Sequence, residues 1–406
     1  MKKIDYKWLM LLLICGAYFL AQGSRQIYAA VLPDIKNYFG EGVTDAAMGL
    51  AGTIFTFSFG IIIPIAGLAA DFYRRKWIIV AGGVLFGTGI LLTGFTTGLP
   101  MLLISYGILN GVGQSLMPPC NSSLIGEFHT DTRGTAFALY QGAIYLGIVV
   151  CSIAAGKMSA TGPEGWRHAF WLFGALTLVW TLVIVLFLKD TPNVGSRAEV
   201  SVSGAVKAFF SKPTALWLMA ALGCYFFATY GVKIWTPVFM MRSFPDMAPS
   251  TAVFHAVFWF YVGAFAGVTL SGRLSDTLKP RRRFVRFEVE LIGLLLCIPF
   301  ILLISGTSHL AVMAAGLLFF GFATGVYDSN LYASLLEVID PKYRAVATGI
   351  FGCGGCIIGA FGPMVMGFLS DAFSIRTAFA ALAVFALGGA LCICVARFKT
   401  AKNDIV

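Results

Sequence analysis

Charge is what this chain has little of. Asp, Glu, Lys and Arg together make up 12% of its 406 residues. A soluble domain of this length carries about twice that share. Length alone would suggest two or three soluble domains, but that estimate takes water as the solvent. Histidine is scarce as well. The four (His129, His168, His255 and His309) are scattered over loops and span edges. No metal-ligand spacing, Ser/His/Asp set or carboxylate pair forms, so no enzyme, metal or cofactor is expected. No stretch alternates with the period of a barrel strand. No small-residue cleavage site follows the first apolar stretch, so that span is expected to serve as its own uncleaved signal. All nine cysteines fall in apolar stretches. Cys353-Gly-Gly-Cys356 has redox spacing without a nearby His, and reads as small residues for close helix packing.

Apolar length is what the chain has. Hydrophobic residues make up 58% of it, and the mean hydropathy is +0.84. A helix needs about 20 apolar residues to cross the hydrocarbon. Twelve such stretches occur, at roughly 8–32, 46–70, 77–97, 99–125, 134–157, 168–188, 215–240, 251–274, 284–304, 308–336, 345–369 and 375–396. They are numbered spans 1 to 12 below. The expected fold is an all-α polytopic membrane protein. The one long polar interruption, 189–213, reads as a cytoplasmic linker between bundles 1–188 and 214–406.

The net charge of +10 could suggest nucleic acid, but its placement argues otherwise. With the N-terminus inside, 22 of the 29 Lys and Arg fall on the inner side and five on the outer. That is the positive-inside pattern, with both termini cytoplasmic. No nucleic-acid partner is expected.

The halves repeat. Tyr18-Phe19 aligns with Tyr225-Phe226, and Ile27-Tyr28 with Ile234-Trp235. The loop after span 2, GLAADFYRRK, and the loop after span 8, GRLSDTLKPRR, both place Asp four residues after Gly and a basic residue five after Asp. Repeated halves put a binding site at their shared interface near the midplane.

GLAADFYRRK resembles the signature loop of the major facilitator superfamily, with Phe72 and Arg74 departing from it. Gly165-Trp166-Arg167 and Asp190-Thr191-Pro192 are similar to that family too. The resemblance covers nearly the whole chain. It implies two pseudo-symmetric six-helix bundles, transport by alternating access, and a monomer. It also implies gating by Asp71, Arg75, Asp276 and Arg281.

Three charges stand inside spans. Arg25 lies nine residues before Asp34, roughly 14 Å below the outer end at about 1.5 Å per residue. An Arg near a span centre costs about 2.5–3.5 kcal/mol on insertion scales. Its fork can hold a carboxylate or phosphate by two bonds in a wet cavity. Snorkelling to the headgroups is the plainer alternative. The segment SRQIYAAVLP resembles the first span of the anion:cation symporters and the organophosphate:phosphate antiporters. Both branches place an anion-binding Arg eight residues before a Pro, as Arg25 and Pro33 stand here. Symporters of this branch often carry Asp and Glu where this chain has Ser24 and Gln114, so proton coupling through those two positions is excluded. Lys233 in span 7 is a second cation, and Asp328 in span 10 the one clear acid. Asp328 is expected either to pair with Lys233 or to carry the coupling proton. Tyr28, Gln114, Asn121, Gln141, Tyr145 and Asn330 are expected to face ligand hydroxyls.

The expected function is inward, proton-coupled transport of a sugar acid across a bacterial inner membrane. An organophosphate/phosphate exchanger is the runner-up. A transporter-like sensor and a drug or cation exporter are further alternatives. The exporter should prefer an acidic cavity, whereas two cations and one acid lie in the spans here.

Overall fold

The computed structural model describes residues 6–40, 42–129, 131–189 and 202–405; the side chains of Asp71, Arg133, Val202 and Ala345 lie outside it. Most of the expected linker, 190–201, also lies outside the described residues. Among the described residues the chain is helical, without strands. It divides into two compact units. One comprises Met1–Ser196 with Phe244–Phe254, the other Arg197–Ser243 with His255–Val406.

Eleven described helical segments are long and apolar enough to cross a membrane. The remaining expected span, span 4, is covered by consecutive short pieces. They are Leu99–Leu102, a wide π-helical turn at Leu103–Leu109, Asn110–Ser115 and Met117–Phe128. The last break falls at Leu116, just before Pro118 and Pro119. Proline has no N–H for the helix ladder and fits best in a first turn, which is where these two sit.

In the N-terminal unit, span 1 (Tyr6–Phe39) packs against span 5 (Arg133–Ser159). The close approach needs glycine on both sides. A Cβ on Gly147 would strike the Phe19 carbonyl, and one on Gly23 would strike Cys151 Sγ. Tyr18 stacks on Tyr140 across the same seam, with centroids 5.1 Å apart. The end expected to face outward is tied by polar contacts. Thr44 caps span 2 (Asp45–Phe72) by accepting from Ala47 N–H at 3.1 Å, and Lys36 pairs with Asp45 at 2.5 Å. Arg167 donates to the Gly94 carbonyl at 2.7 Å and lies against the Tyr38 and Trp166 rings. At the opposite end, expected to face inward, Lys7 pairs with Asp131 at 3.0 Å. The buried His129 bridges Thr132 Oγ1 and the Lys7 carbonyl.

In the C-terminal unit, span 7 (Pro213–Ser243), span 9 (Val285–Gly306) and span 12 (Ile375–Val395) enclose a core. Leu218, Tyr225, Phe287, Leu294, Tyr327, Leu335, Phe351 and Ile393 fill it. Span 10 is broken. Its outer helix, Leu310–Asp328, ends mid-span, and a short inner helix, Ala333–Leu336, follows. Span 11 is likewise divided, into Arg344–Gly359 and Gly362–Ala372, with Pro363 at the restart. Past span 12, Asp404 accepts from the Thr214 N–H at 2.9 Å and the Thr214 hydroxyl at 2.7 Å, closing the inner end of span 7.

Candidate functional site

The N-terminal unit sets Arg25 on an aromatic tray. Its guanidinium carbon lies 4.5 Å from the centroid of the Phe55 ring on span 2. The Arg25 carbonyl accepts from the Tyr106 hydroxyl at 3.0 Å. Tyr106 in turn stacks on Tyr28 with centroids 4.3 Å apart. Arg25 is itself half-buried. A cation over a ring face gains about 0.5–2 kcal/mol, rising with desolvation. The ring face thus stabilises the guanidinium, whose planar fork has the shape that an acid group matches.

The neighbouring polar residues divide into two sets. Tyr28 is fully buried, and its hydroxyl donates to the Met48 carbonyl at 2.6 Å. Gln114 is fully buried too, with neither amide atom hydrogen-bonded. Asn121 donates to the Tyr140 hydroxyl at 3.2 Å from inside the packed bundle. Gln141 and Tyr145 are only half-buried, and lie one turn apart on the same face of span 5.

In the C-terminal unit Lys233 is half-buried, its Nζ 5.5 Å from the Phe260 centroid on span 8. Asp328 is exposed although it stands midway along a span. The Lys233 charge and the Tyr225 hydroxyl both act on its carboxyl. The structure therefore brings Lys233 and Asp328 within electrostatic reach. Asn330 is buried. It donates to Ser275 Oγ at 2.8 Å and Ser329 Oγ at 2.9 Å, fastening the span 10 break to span 8. His255 takes a hydrogen bond from Trp259 Nε1 one turn away, at 2.9 Å.

The inner ends carry the residues expected to gate. Arg75 pairs with Glu127 at the inner end of span 4. The Asp71 side chain lies outside the described residues. Asp276 is largely exposed, 3.5 Å from Arg286, and Arg281 is exposed. Glu337, at the inner end of span 10, pairs with Lys279 and with Arg286 at 3.4 Å. Sequence reasoning missed Glu127, Arg286 and Glu337. The repeat holds them: Arg75 and Arg286 are offset by 211 positions, and Glu127 and Glu337 by 210. Among the described residues no three His, Cys, Asp or Glu gather as a metal site.

Comparison with known proteins places this geometry. The family model described as Major Facilitator Superfamily matches residues 14–304 and 283–405. A probable sulfoacetate transporter of Cupriavidus necator is 27% identical over 91% of this chain and 89% of its own. The 3-(3-hydroxy-phenyl)propionate transporter of Escherichia coli is 27% identical over 77% of this chain and 76% of its own. The crystal structure of a bacterial homologue of the human lysosomal transporter Spinster, inward-facing and unoccupied, superposes with a TM-score of 0.84. It is 20% identical and covers 100% of this chain and 99% of its own. The last match shows the fold; the family model covers nearly all the chain, which belongs to the Major Facilitator Superfamily and is a membrane transporter, not an enzyme.

Proposed function

We propose that this chain is a secondary transporter of a small organic anion, working by alternating access, with Arg25 taking the acid group. The observation that carries this is a guanidinium held deep in span 1 against Phe55. Arg25 costs insertion energy there, and a ligand carboxylate, sulfonate or phosphate matches its fork. The similar proteins named for sulfoacetate and 3-(3-hydroxy-phenyl)propionate support an anionic cargo.

The geometry favours an anion with few hydroxyls, such as a short or aryl carboxylate or a sulfonate. The buried rings of Phe55, Tyr28 and Tyr106 make the surroundings of Arg25 apolar. Tyr28, Gln114, Asn121 and Asn330 turn their polar atoms into protein. A sugar acid is the second reading, supported by Gln141 and Tyr145, which are half-buried on one face. An organophosphate remains an alternative because the same fork suits phosphate.

Proton coupling is assigned to Asp328, with Lys233 as its partner or as a second cation for the substrate. Asp328→Asn is expected to abolish pH-driven accumulation in proteoliposomes while sparing exchange. An unchanged pH dependence refutes that role. Gating falls to the inner-end charges, Asp71, Arg75, Asp276 and Arg281. The protein is placed in a bacterial inner membrane, as a monomer with both termini in the cytoplasm, moving its substrate inward.

Thermal-shift binding tests the reading. The panel is sulfoacetate, an arylpropionate, a hexuronate, a sugar phosphate and a neutral sugar, with Arg25→Ala in parallel. A shift with one anion class, lost in the variant, is expected. Shifts with neutral or cationic compounds that survive the substitution overturn it.

A further inference from the structure

Span 10 stops at Asp328 and resumes as a single turn at Ala333–Leu336. Polar side chains hold that inner piece from three directions. From span 8, Ser271 Oγ donates to Ser329 Oγ at 2.9 Å and Ser275 takes the Asn330 amide. From the head of span 11, Arg344 donates to the Leu336 carbonyl at 2.7 Å. From span 9, Arg286 donates to the Ala333 carbonyl at 3.3 Å, and Glu290 accepts from the Ser334 hydroxyl at 2.6 Å.

Glu290 is 1% exposed, and its Oε2 has no hydrogen-bond partner. A buried carboxylate with an open oxygen is costly unless a cation or a proton answers it. Arg286 is one turn earlier on the same helix, within electrostatic reach. That guanidinium is already divided among Asp276, Glu337 and the Ala333 carbonyl. The other groups that face this cluster are Tyr327 and Glu337 of span 10 and Lys279 at the end of span 8. Glu288 lies toward span 12, where it pairs with Arg397.

We infer that Glu290 is a proton-linked positioning residue. In its ionised form it grips the inner segment of span 10 through Ser334 and draws Arg286 toward itself. A proton taken from the inner aqueous side removes the charge, weakens the Ser334 bond and frees the segment at its 329–332 break. A hydrogen bond to an ionised acceptor is roughly twice as strong as a neutral one. What the released segment does for transport rests on the transporter reading; its titration does not.

Hydrogen exchange of the full chain in lipid nanodiscs tests this without a substrate. Protection over 333–339 is read against intrinsic exchange as pH falls. The wild type is expected to lose about tenfold in protection on acidification, the size of one charge-assisted bond made neutral. E290Q is expected to show the low-protection state at every pH. Asp328 titrates at the other end of the break, so D328N is measured beside it and is expected to keep the wild-type change. Retention of the full pH response in E290Q, or its loss in D328N alone, overturns the inference. Where E290Q does not fold, S334A decides: a lost pH response supports the inference and a retained one overturns it. Failure here leaves the organic-anion reading standing, and a failed binding panel leaves this one standing.

Discussion

Replacing Arg25 with Ala removes both a charge and a planar fork, and the two losses are separable. Truncating one member of a buried, hydrogen-bonded charge pair costs about 2–5 kcal/mol, so affinity for the acid group should fall about 30-fold or more. Arg25→Lys keeps the charge and forfeits the two-bond geometry. Calorimetric titration should place it between the wild type and the Ala variant. An Arg25→Lys affinity equal to wild type would mean that a point charge suffices. Asp131 gives a pH-dependent case outside the spans. The Lys7 ammonium beside it holds its carboxyl below the ordinary value of 3.8. A depressed folded value means the contribution is present above pH 3.8 and fades as pH falls through the lower folded value. Asp131 is exposed, so the effect is small. Thermal unfolding of Asp131→Asn should fall slightly below wild type near neutrality and converge with it in acid. At this scale the position of Arg25 was legible because a permanent charge among apolar residues stands out. How Tyr28, Gln114 and Asn121 pack was not. A polar side chain in a span reads alike in sequence whether it meets a ligand, a carbonyl or a neighbouring helix.

The spans themselves were legible, since hydropathy reports length directly. Their breaks were not. Span 10 stays apolar on average through 329–332, and hydropathy does not record whether the backbone ladder continues. Asp328 and Asn330 read there as site chemistry. The structure uses the Asn330 side chain to tie the break to span 8. Interrupted helices occur in both halves, in span 4 at Leu116 and in span 10 after Asp328. Glu290 escaped notice for a related reason. It follows a basic run at an inner helix end, where a carboxylate passes for a headgroup-level ion pair. The break has an energetic signature. Asn330→Ala removes its bonds to Ser275 and Ser329 and Ser275→Ala removes the first of these, at about 1–3 kcal/mol when a partner is left unsatisfied. The double variant should cost clearly less than the sum, because both remove the same bond. Additive losses in thermal or denaturant unfolding would show that Asn330 and Ser275 act separately.

Duplication explains why the same device recurs at the inner end of each unit. In the first, Arg75 at the head of span 3 meets Glu127 at the foot of span 4. In the second, Arg286 near the head of span 9 and Lys279 both meet Glu337 at the foot of span 10. The motif after span 2 and its echo after span 8 pointed to this region; the pair with Glu337 is made by Arg286, while Arg281 is exposed. Counting five residues on from Asp276 lands in an exposed loop. Counting by the repeat offset lands on the helix that carries the contact. The two copies also differ in a way that can be measured. Among the described residues Glu127 has one paired cation, whereas Glu337 has two. Reversing Arg75 to Glu therefore leaves Glu127 facing a like charge, and the added Glu127→Arg change should restore most of the lost stability. Reversing Arg286 also loses its contacts with Asp276 and the Ala333 carbonyl, and the added Glu337→Arg change sets a cation against Lys279, so rescue should be weaker there. Each pair is partly exposed, so effects of about 1 kcal/mol are expected. Thermal unfolding across both mutant cycles reads the difference. Equal rescue in the two units would mean that Lys279 contributes nothing and that the copies work identically.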